Sequence, residues 1–253
     1  MKIILHDSLS SLRLRLEQRS EPPLMMLRGV INEALMPDRL TIWCWDGKGA
    51  NDPRRELLPG YKDRPITRPD IYHSLNMIRE LLTTTGAWQA CLPGYEADDL
   101  IAAFVQQFDG NPIEIMTRDG DLTALCGPTV TCRAPAKAPA DLIRLYKLTV
   151  GDPSDNIPGI SGFGEGSWNR ADKQTLAVLM TKVLRKEPWT DEFAETVMSR
   201  RATRWLRENE DLVRRMKQVI DPRPLTLDQL NASLTKGVND PVKREALMKR
   251  YLL

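Results

Sequence analysis

The chain has 253 residues, of which 42% are hydrophobic and 28% charged, and its formal net charge is +2; this is the composition of a globular protein long enough to bury a substantial core. No apolar run is long enough to span a bilayer, and the N-terminal one is broken at once by His6 and Asp7, so the expectation is a cytoplasmic protein without a membrane segment or secretory leader. Two histidines, far apart, and four cysteines (Cys44, Cys91, Cys126 and Cys132) at no metal-ligand spacing argue against zinc chemistry, histidine acid–base catalysis and a disulfide framework; the cysteines read as reduced core thiols.

In chain order, KIILHD reads as a buried strand ending in Asp7 and LTIWCWD as a second, rich in β-formers, ending in Asp46. The next stretch, GKGANDPRRELLPGYKDRPITRPD, is long, basic and punctuated by Pro and Gly, and a connection of this length is usually functional or disordered. A helix follows in which Ile71, Leu75, Ile78 and Leu82 form one apolar face and Gly86 is the expected stop. In EADDLIAAFVQQF, Leu100, Ile101, Phe104, Val105 and Phe108 again share a helical face. PIEIMTRDGD reads as a third strand, ending in Asp119 and Asp121. Alternating strands and helices predict an α/β layered domain, here placed at residues 1–140.

Beyond residue 150 the texture changes to a glycine-rich stretch, GDPSDNIPGISGFGEGSW, followed by basic sequence of helical periodicity with few strand signals. A helical subdomain is expected over 141–253. From Arg200 to the C-terminus thirteen basic residues face seven acidic ones, which fits either a DNA-facing surface or solvated helix faces, with solvated faces preferred.

Taken singly, Glu96, Asp98 and Asp99 are a helix start, where carboxylates gain about 0.3–1 kcal/mol from the helix dipole, and Asp119-Gly-Asp121 is a turn. Together with Asp7, Asp46, Asp152 and Asp155 they make nine carboxylates at strand ends, a helix start and a glycine-rich loop. In open parallel sheets ligands gather at the carboxyl ends of the strands, and so much like charge in one place requires cations. Oxygen-only donors suit Mg²⁺ or Mn²⁺, and two such ions could serve an in-line attack on a phosphodiester.

CWDGKGANDPRRELLPGYKDRP, PGYEADDLI, MTRDGDLTAL and GDPSDNIPGISGFGEG closely resemble, in order and separation, the motifs of the structure-specific 5' nucleases: flap endonucleases, phage 5'-3' exonucleases and the N-terminal nuclease domain of DNA polymerase I. The resemblance runs from about Asp7 to Gly166. It implies a PIN-like, mostly parallel sheet flanked by helices, a helical arch or gateway at about 47–72, and a helix-three-turn-helix hairpin at about 151–185. All nine acidic positions, Asp7, Asp46, Glu96, Asp98, Asp99, Asp119, Asp121, Asp152 and Asp155, match the family's metal ligands, with Asp98 and Asp99 also assigned to catalysis.

The resemblance further implies that Lys62 faces the scissile phosphate and that Arg54 or Arg55 contacts DNA. Arg64 stands one residue earlier than the corresponding arginine of many relatives, and Tyr61 is open to base stacking or to core packing. Gly159, Gly162, Gly164 and Gly166 would present backbone N–H groups to duplex phosphate, and the hairpin would hold K⁺ through carbonyl oxygens. GEGSW stands where relatives often carry a lysine, so one phosphate contact is expected to be missing.

The implied activity is 5'-3' exonuclease or 5'-flap endonuclease action, leaving 5'-phosphate and 3'-hydroxyl ends, by a monomeric, free-standing nuclease. Its partners would be DNA with 5' single-strand ends or flaps and RNA in RNA/DNA hybrids. A PIN-like ribonuclease and a non-catalytic DNA-structure-binding protein are the alternatives. The glycine hairpin weighs against the first and the full set of acids against the second.

Overall fold

The structure, a computed structural model, describes residues 1–12, 23–63 and 69–252. The chain divides into two compact units: Met1–Ala50, Pro65–Ala136 and Pro224–Leu253 form one, and Asn51–Arg64 with Lys137–Arg223 form the other.

The first unit is built on a six-stranded sheet in the order β5-β4-β1-β2-β3-β6. Its strands are β1 (Lys2–Asp7), β2 (Arg39–Trp45), β3 (Trp88–Cys91), β4 (Ile113–Met116), β5 (Val130–Cys132) and β6 (Leu234–Lys236). All pairings among β1 to β5 are parallel, and β6 runs antiparallel to β3, with Trp88 opposite Lys236.

Period-two alternation along the strands supplies both faces. On one side Ile3, Leu5, Ile42 and Cys44 pack with Leu100, Ile101 and Phe104 of α4 (Ala97–Gln107). On the other, Trp43 and Trp45 pack with Met26, Leu27 and Val30 of α1 (Pro23–Ala34) and with Ile71, Leu75 and Ile78 of α3 (Pro69–Leu82). A parallel sheet must be covered on both faces, and each buried side chain of this size contributes roughly 1.5–3 kcal/mol.

Two boundaries differ from the sequence expectation. Helix α3 ends at Leu82 rather than running to Gly86, because the hydroxyls of Thr83, Thr84 and Thr85 donate to the carbonyls of Glu80, Leu81 and Leu82 and close its last turn. The last thirty residues, expected in the helical subdomain, return to the sheet. They supply α11 (Leu227–Ser233), the edge strand β6 and α12 (Pro241–Leu252).

The second unit is helical. It comprises α2 (Asp52–Leu57), α5 (Ile143–Val150), α6 (Glu165–Arg170), α7 (Lys173–Arg185), α8 (Asp191–Glu195), α9 (Arg200–Glu208) and α10 (Glu210–Ile220). Leu58 and Tyr61, from the segment expected to form the arch, are buried in its core with Leu148, Phe163, Leu176, Leu206 and Met216. That is why 51–64 belongs to this unit and not to the sheet.

Of the cysteines only Cys44 is buried; Cys91, Cys126 and Cys132 are half-buried, and the Cys126 and Cys132 sulfurs lie 2.9 Å apart.

Candidate metal-binding carboxylates and nucleic-acid contacts

Asp7 ends β1 and is 5% exposed. Its Oδ1 accepts the Ser10 N–H at 3.2 Å and its Oδ2 the Thr117 hydroxyl at 2.7 Å. Burial pushes its pKa up to about 6 against those two hydrogen bonds, with the charges of Asp46 and Asp119 pushing in the same direction. Asp46 and Asp119 are therefore close enough to Asp7 for their charges to act on it.

Asp46 follows β2 and is tied to the start of α4, where its Oδ1 accepts the Ala97 N–H at 2.8 Å. The loop behind it is pinned by Gly47 N–H to the Tyr95 carbonyl and Gly94 N–H to the Lys48 carbonyl, both 2.9 Å. A β-carbon on Gly47 would sit 1.9 Å from the Leu92 carbonyl oxygen, so this approach of loop to helix needs glycine there.

The three acids at the start of α4 separate into distinct environments. Glu96 is the N-cap, and Asp99, with no exposed surface, accepts the Glu96 N–H at 3.1 Å as part of a reciprocal capping box. Asp98 is only partly buried. The Cys44 thiol is pushed well above its ordinary range, first by burial and then by the charges of Asp7 and Asp98, which puts Asp98 within electrostatic reach of the same strand ends. Of the two acids expected as both ligands and catalytic residues, Asp99 thus gives its Oδ2 to the helix start.

Asp119 is not at a strand end. Strand β4 stops at Met116, and Asp119 caps a 3₁₀ helix (Gly120–Leu125) by accepting the Asp121 N–H at 2.9 Å. The intervening Thr117, which the sequence reading passed over, joins the two acids. Its hydroxyl donates to Asp7 and accepts the Asp119 N–H at 2.9 Å. A threonine two residues before an aspartate, just past a strand, was the available signal.

In the helical unit, Asp152 and Asp155 flank a tight turn closed by Asp152 N–H to Ile157 O at 2.8 Å and Ile157 N–H to Asp152 O at 2.9 Å. The Ser154 N–H and hydroxyl both donate to Asp152 Oδ1. Between the two carboxylates sits the Lys147 ammonium of α5, 2.9 Å from Asp152 Oδ2 and 3.1 Å from Asp155 Oδ2. Burial works to raise the Asp152 pKa, but Lys147 and the Ser154 hydrogen bonds outweigh it and hold the carboxyl below its usual range. Lys147 was also missed, because in sequence it is one lysine on an amphipathic helix.

Lys62 is partly buried, in a left-handed conformation (φ 46°). Its N–H donates to the Asp155 carbonyl at 3.1 Å, and its ammonium lies 5.2 Å from the Tyr61 ring centroid. Arg55 donates to the carbonyls of Tyr61 and Lys62, and Asn156 to that of Gly60, which fixes the turn.

Arg54 and Tyr61 are each 3% exposed. Arg54 donates Nε–H to the Val219 carbonyl at 2.9 Å, so of the two arginines offered for a DNA contact Arg54 is turned inward, and of the two readings of Tyr61 its burial fits core packing. Arg64 lies outside the described residues. Among the glycines, Gly159 is buried at φ 67°, with Val150 and Gly151 backbone 2.5 Å from where a β-carbon would be. It serves chain packing rather than phosphate approach. Gly162, Gly164 and Gly166 are exposed.

The donor set of the sheet unit is all oxygen and partly buried, with the charges of Asp46 and Asp119 acting on Asp7, and it fits a hard divalent cation. A mostly parallel sheet carrying such acids at the ends of β1 and β2 defines the class: an α/β fold with carboxylates gathered at the carboxyl ends of its central strands. Residues 22–147 match the model for the N-terminal, resolvase-like domain of 5'-3' exonucleases. The chain belongs to this family of structure-specific 5' nucleases.

Among its relatives, the thermostable DNA polymerase I of Thermus caldophilus is 35% identical over 128 residues, and DNA polymerase I of Mycobacterium tuberculosis H37Rv is 34% identical over 133. Each alignment covers 44% of this chain and only 15% of the polymerase, so the chain spans a small part of those relatives. The fold is that of the T5 D15 protein co-crystallised with metal ions (TM-score 0.65, 17% identity, 100% of this chain and 98% of that one). It is also similar to the Rad2 catalytic core in complex with DNA (TM-score 0.51, 14% identity, 98% and 87%). No helix among the described residues is long and apolar enough to cross a membrane.

Proposed function

We propose that the protein is a divalent-metal-dependent 5' nuclease that hydrolyses DNA phosphodiesters near single-strand to duplex junctions, leaving 5'-phosphate and 3'-hydroxyl ends, in DNA replication and repair. The observation that carries this reading is the buried Asp7, which feels the charges of Asp46 and Asp119, at the carboxyl ends of the central strands of a parallel sheet in a chain of the 5'-3' exonuclease family. Mg²⁺ or Mn²⁺, two ions in all, would activate water and stabilise the leaving oxygen. Within the sheet unit Asp7, Asp46, Asp98, Asp119 and Asp121 would be metal ligands, with Glu96 and Asp99 orienting the helix start; within the helical unit the ligands would be Asp152 and Asp155.

Lys62, set by its turn, supplies positive charge to the reacting phosphate without changing protonation. The exposed Gly162, Gly164 and Gly166 leave backbone open to duplex phosphate, with K⁺ held by hairpin carbonyls and Arg55 ordering the gateway segment. Action as a monomer in the cytoplasm, on 5' flaps, 5' ends and RNA/DNA hybrids, belongs to the same proposal.

The test is cleavage of end-labelled 5'-flap DNA, single strands and RNA with Mg²⁺, Mn²⁺ or chelator, in K⁺ and in tetramethylammonium. Metal-dependent release of 5'-end fragments from the flap is expected. Binding without cleavage, or a preference for RNA alone, would overturn the proposal.

A further inference from the structure

Resting on the metal reading above, we propose that the Lys147 ammonium is a built-in cation at the Asp152–Asp155 pair, and that it sets how tightly this pair can hold a divalent ion. Lys147 is 5% exposed, and an ammonium so buried persists only when paired. Its Nζ bridges both carboxylates at 2.9 and 3.1 Å, which is where a metal shared by the pair would have to lie. The carboxylates have little freedom to turn elsewhere: Asp152 Oδ1 is taken by Ser154, and the turn is closed on both strands at Ile157. Lys147 is itself fixed, within α5 between the buried Tyr146 and Leu148.

A divalent ion entering here must push the ammonium aside or bind with fewer carboxylate oxygens, because two cations within a few ångströms repel strongly in a partly buried site. Occupancy of this pair is therefore conditional. Lys147 acts through the carboxylates and is a positioning residue that determines metal affinity.

The experiment is Mn²⁺ titration of the full chain, followed by calorimetry and by electron paramagnetic resonance counting of bound ions, on the wild type, Lys147→Met, Lys147→Gln and Lys147→Arg. Folding is checked by circular dichroism; Gln keeps a donor to the carboxylates and stands in if Met fails to fold. The Met or Gln variant is expected to tighten the weakest Mn²⁺ step by about tenfold or more, or to bind one additional ion, as expected when a like charge is removed from the site. Adding Asp155→Asn should abolish the gain, and Arg should behave as wild type.

Folded Met and Gln variants with wild-type stoichiometry and affinities would overturn the proposal. A gain in those variants alongside a wild type that neither binds Mn²⁺ nor cuts flap DNA would overturn the proposed function and leave the Lys147 assignment standing.

Discussion

Lys62 donates its backbone N–H to the carbonyl of Asp155 at 3.1 Å, joining the basic segment after β2 to the acidic turn of the helical unit. The link is made by backbone and the turn is held by its neighbours, so this link does not depend on the Lys62 side chain. Lys62→Ala is expected to slow single-turnover flap cleavage by about 100- to 1000-fold, the range for removing one group that stabilises developing charge, at nearly unchanged stability. Lys62→Gly should cleave as slowly yet be as stable or more so, since glycine relieves the left-handed strain at φ 46°. Wild-type rates in either variant would remove Lys62 from the mechanism.

Arg54 is expected to matter for folding. Its guanidinium is buried and donates to the Val219 carbonyl at 2.9 Å, with a longer contact to that of Asp221. Arg54→Ala should cost about 2–4 kcal/mol in urea unfolding, the penalty for stranding buried polar groups. Arg54→Lys should recover little of it, because an ammonium lacks the planar fork. The salt dependence of DNA binding by the folded variant should keep its slope; a slope shallower by about one would return Arg54 to the phosphate contacts.

These two residues mark how far the sequence could be read. Strands β1 and β2 were legible because their apolar runs end sharply in aspartate, and α3 and α4 because their apolar residues recur at helical spacing. The basic segment was legible as functional but not in its parts: Arg54 and Arg55 are adjacent in one basic run, and only the fold turns one inward to Val219 and the other toward Tyr61 and Lys62. Strand β6 was missed because three residues, Leu-Thr-Lys, carry no period, and what makes them a strand is pairing with β3. Lys147 and Thr117 escaped for the same reason, since their meaning comes from partners distant or unremarkable in sequence.

Asp98 and Asp99, adjacent in sequence, should fail differently when replaced. Asp98→Ala is expected to abolish cleavage with stability changed by less than about 0.5 kcal/mol, as for a substitution outside the core. Asp99→Ala removes half of the capping box and should cost about 1 kcal/mol, with cleavage reduced through a displaced helix start. Thermal melts and cleavage rates on the same preparations separate the two, and equal destabilisation would show both to be caps.

Asp7 gives the clearest pH signature. Its pKa is about 6 in the folded protein against 3.8 for the unperturbed group, raised by burial and by the charges of Asp46 and Asp119. Between those values the native state binds more protons than the unfolded one, so in the absence of metal this residue makes stability fall as pH rises from about 4 to about 6, then level off. Asp7→Asn should remove that dependence. The metal-free variant should be more stable than wild type by roughly 1–3 kcal/mol at pH 8, and the difference should vanish below pH ~4. Divalent metal should reverse the order at pH 8, because only the charged wild type gains the full stabilisation of a bound cation. Urea unfolding of both proteins across this pH range, with chelator and with Mn²⁺, measures each part. A wild type no less stable than Asp7→Asn at pH 8 without metal would mean that Asp7 carries no burial cost, and the electrostatic argument for a cation beside it would fall.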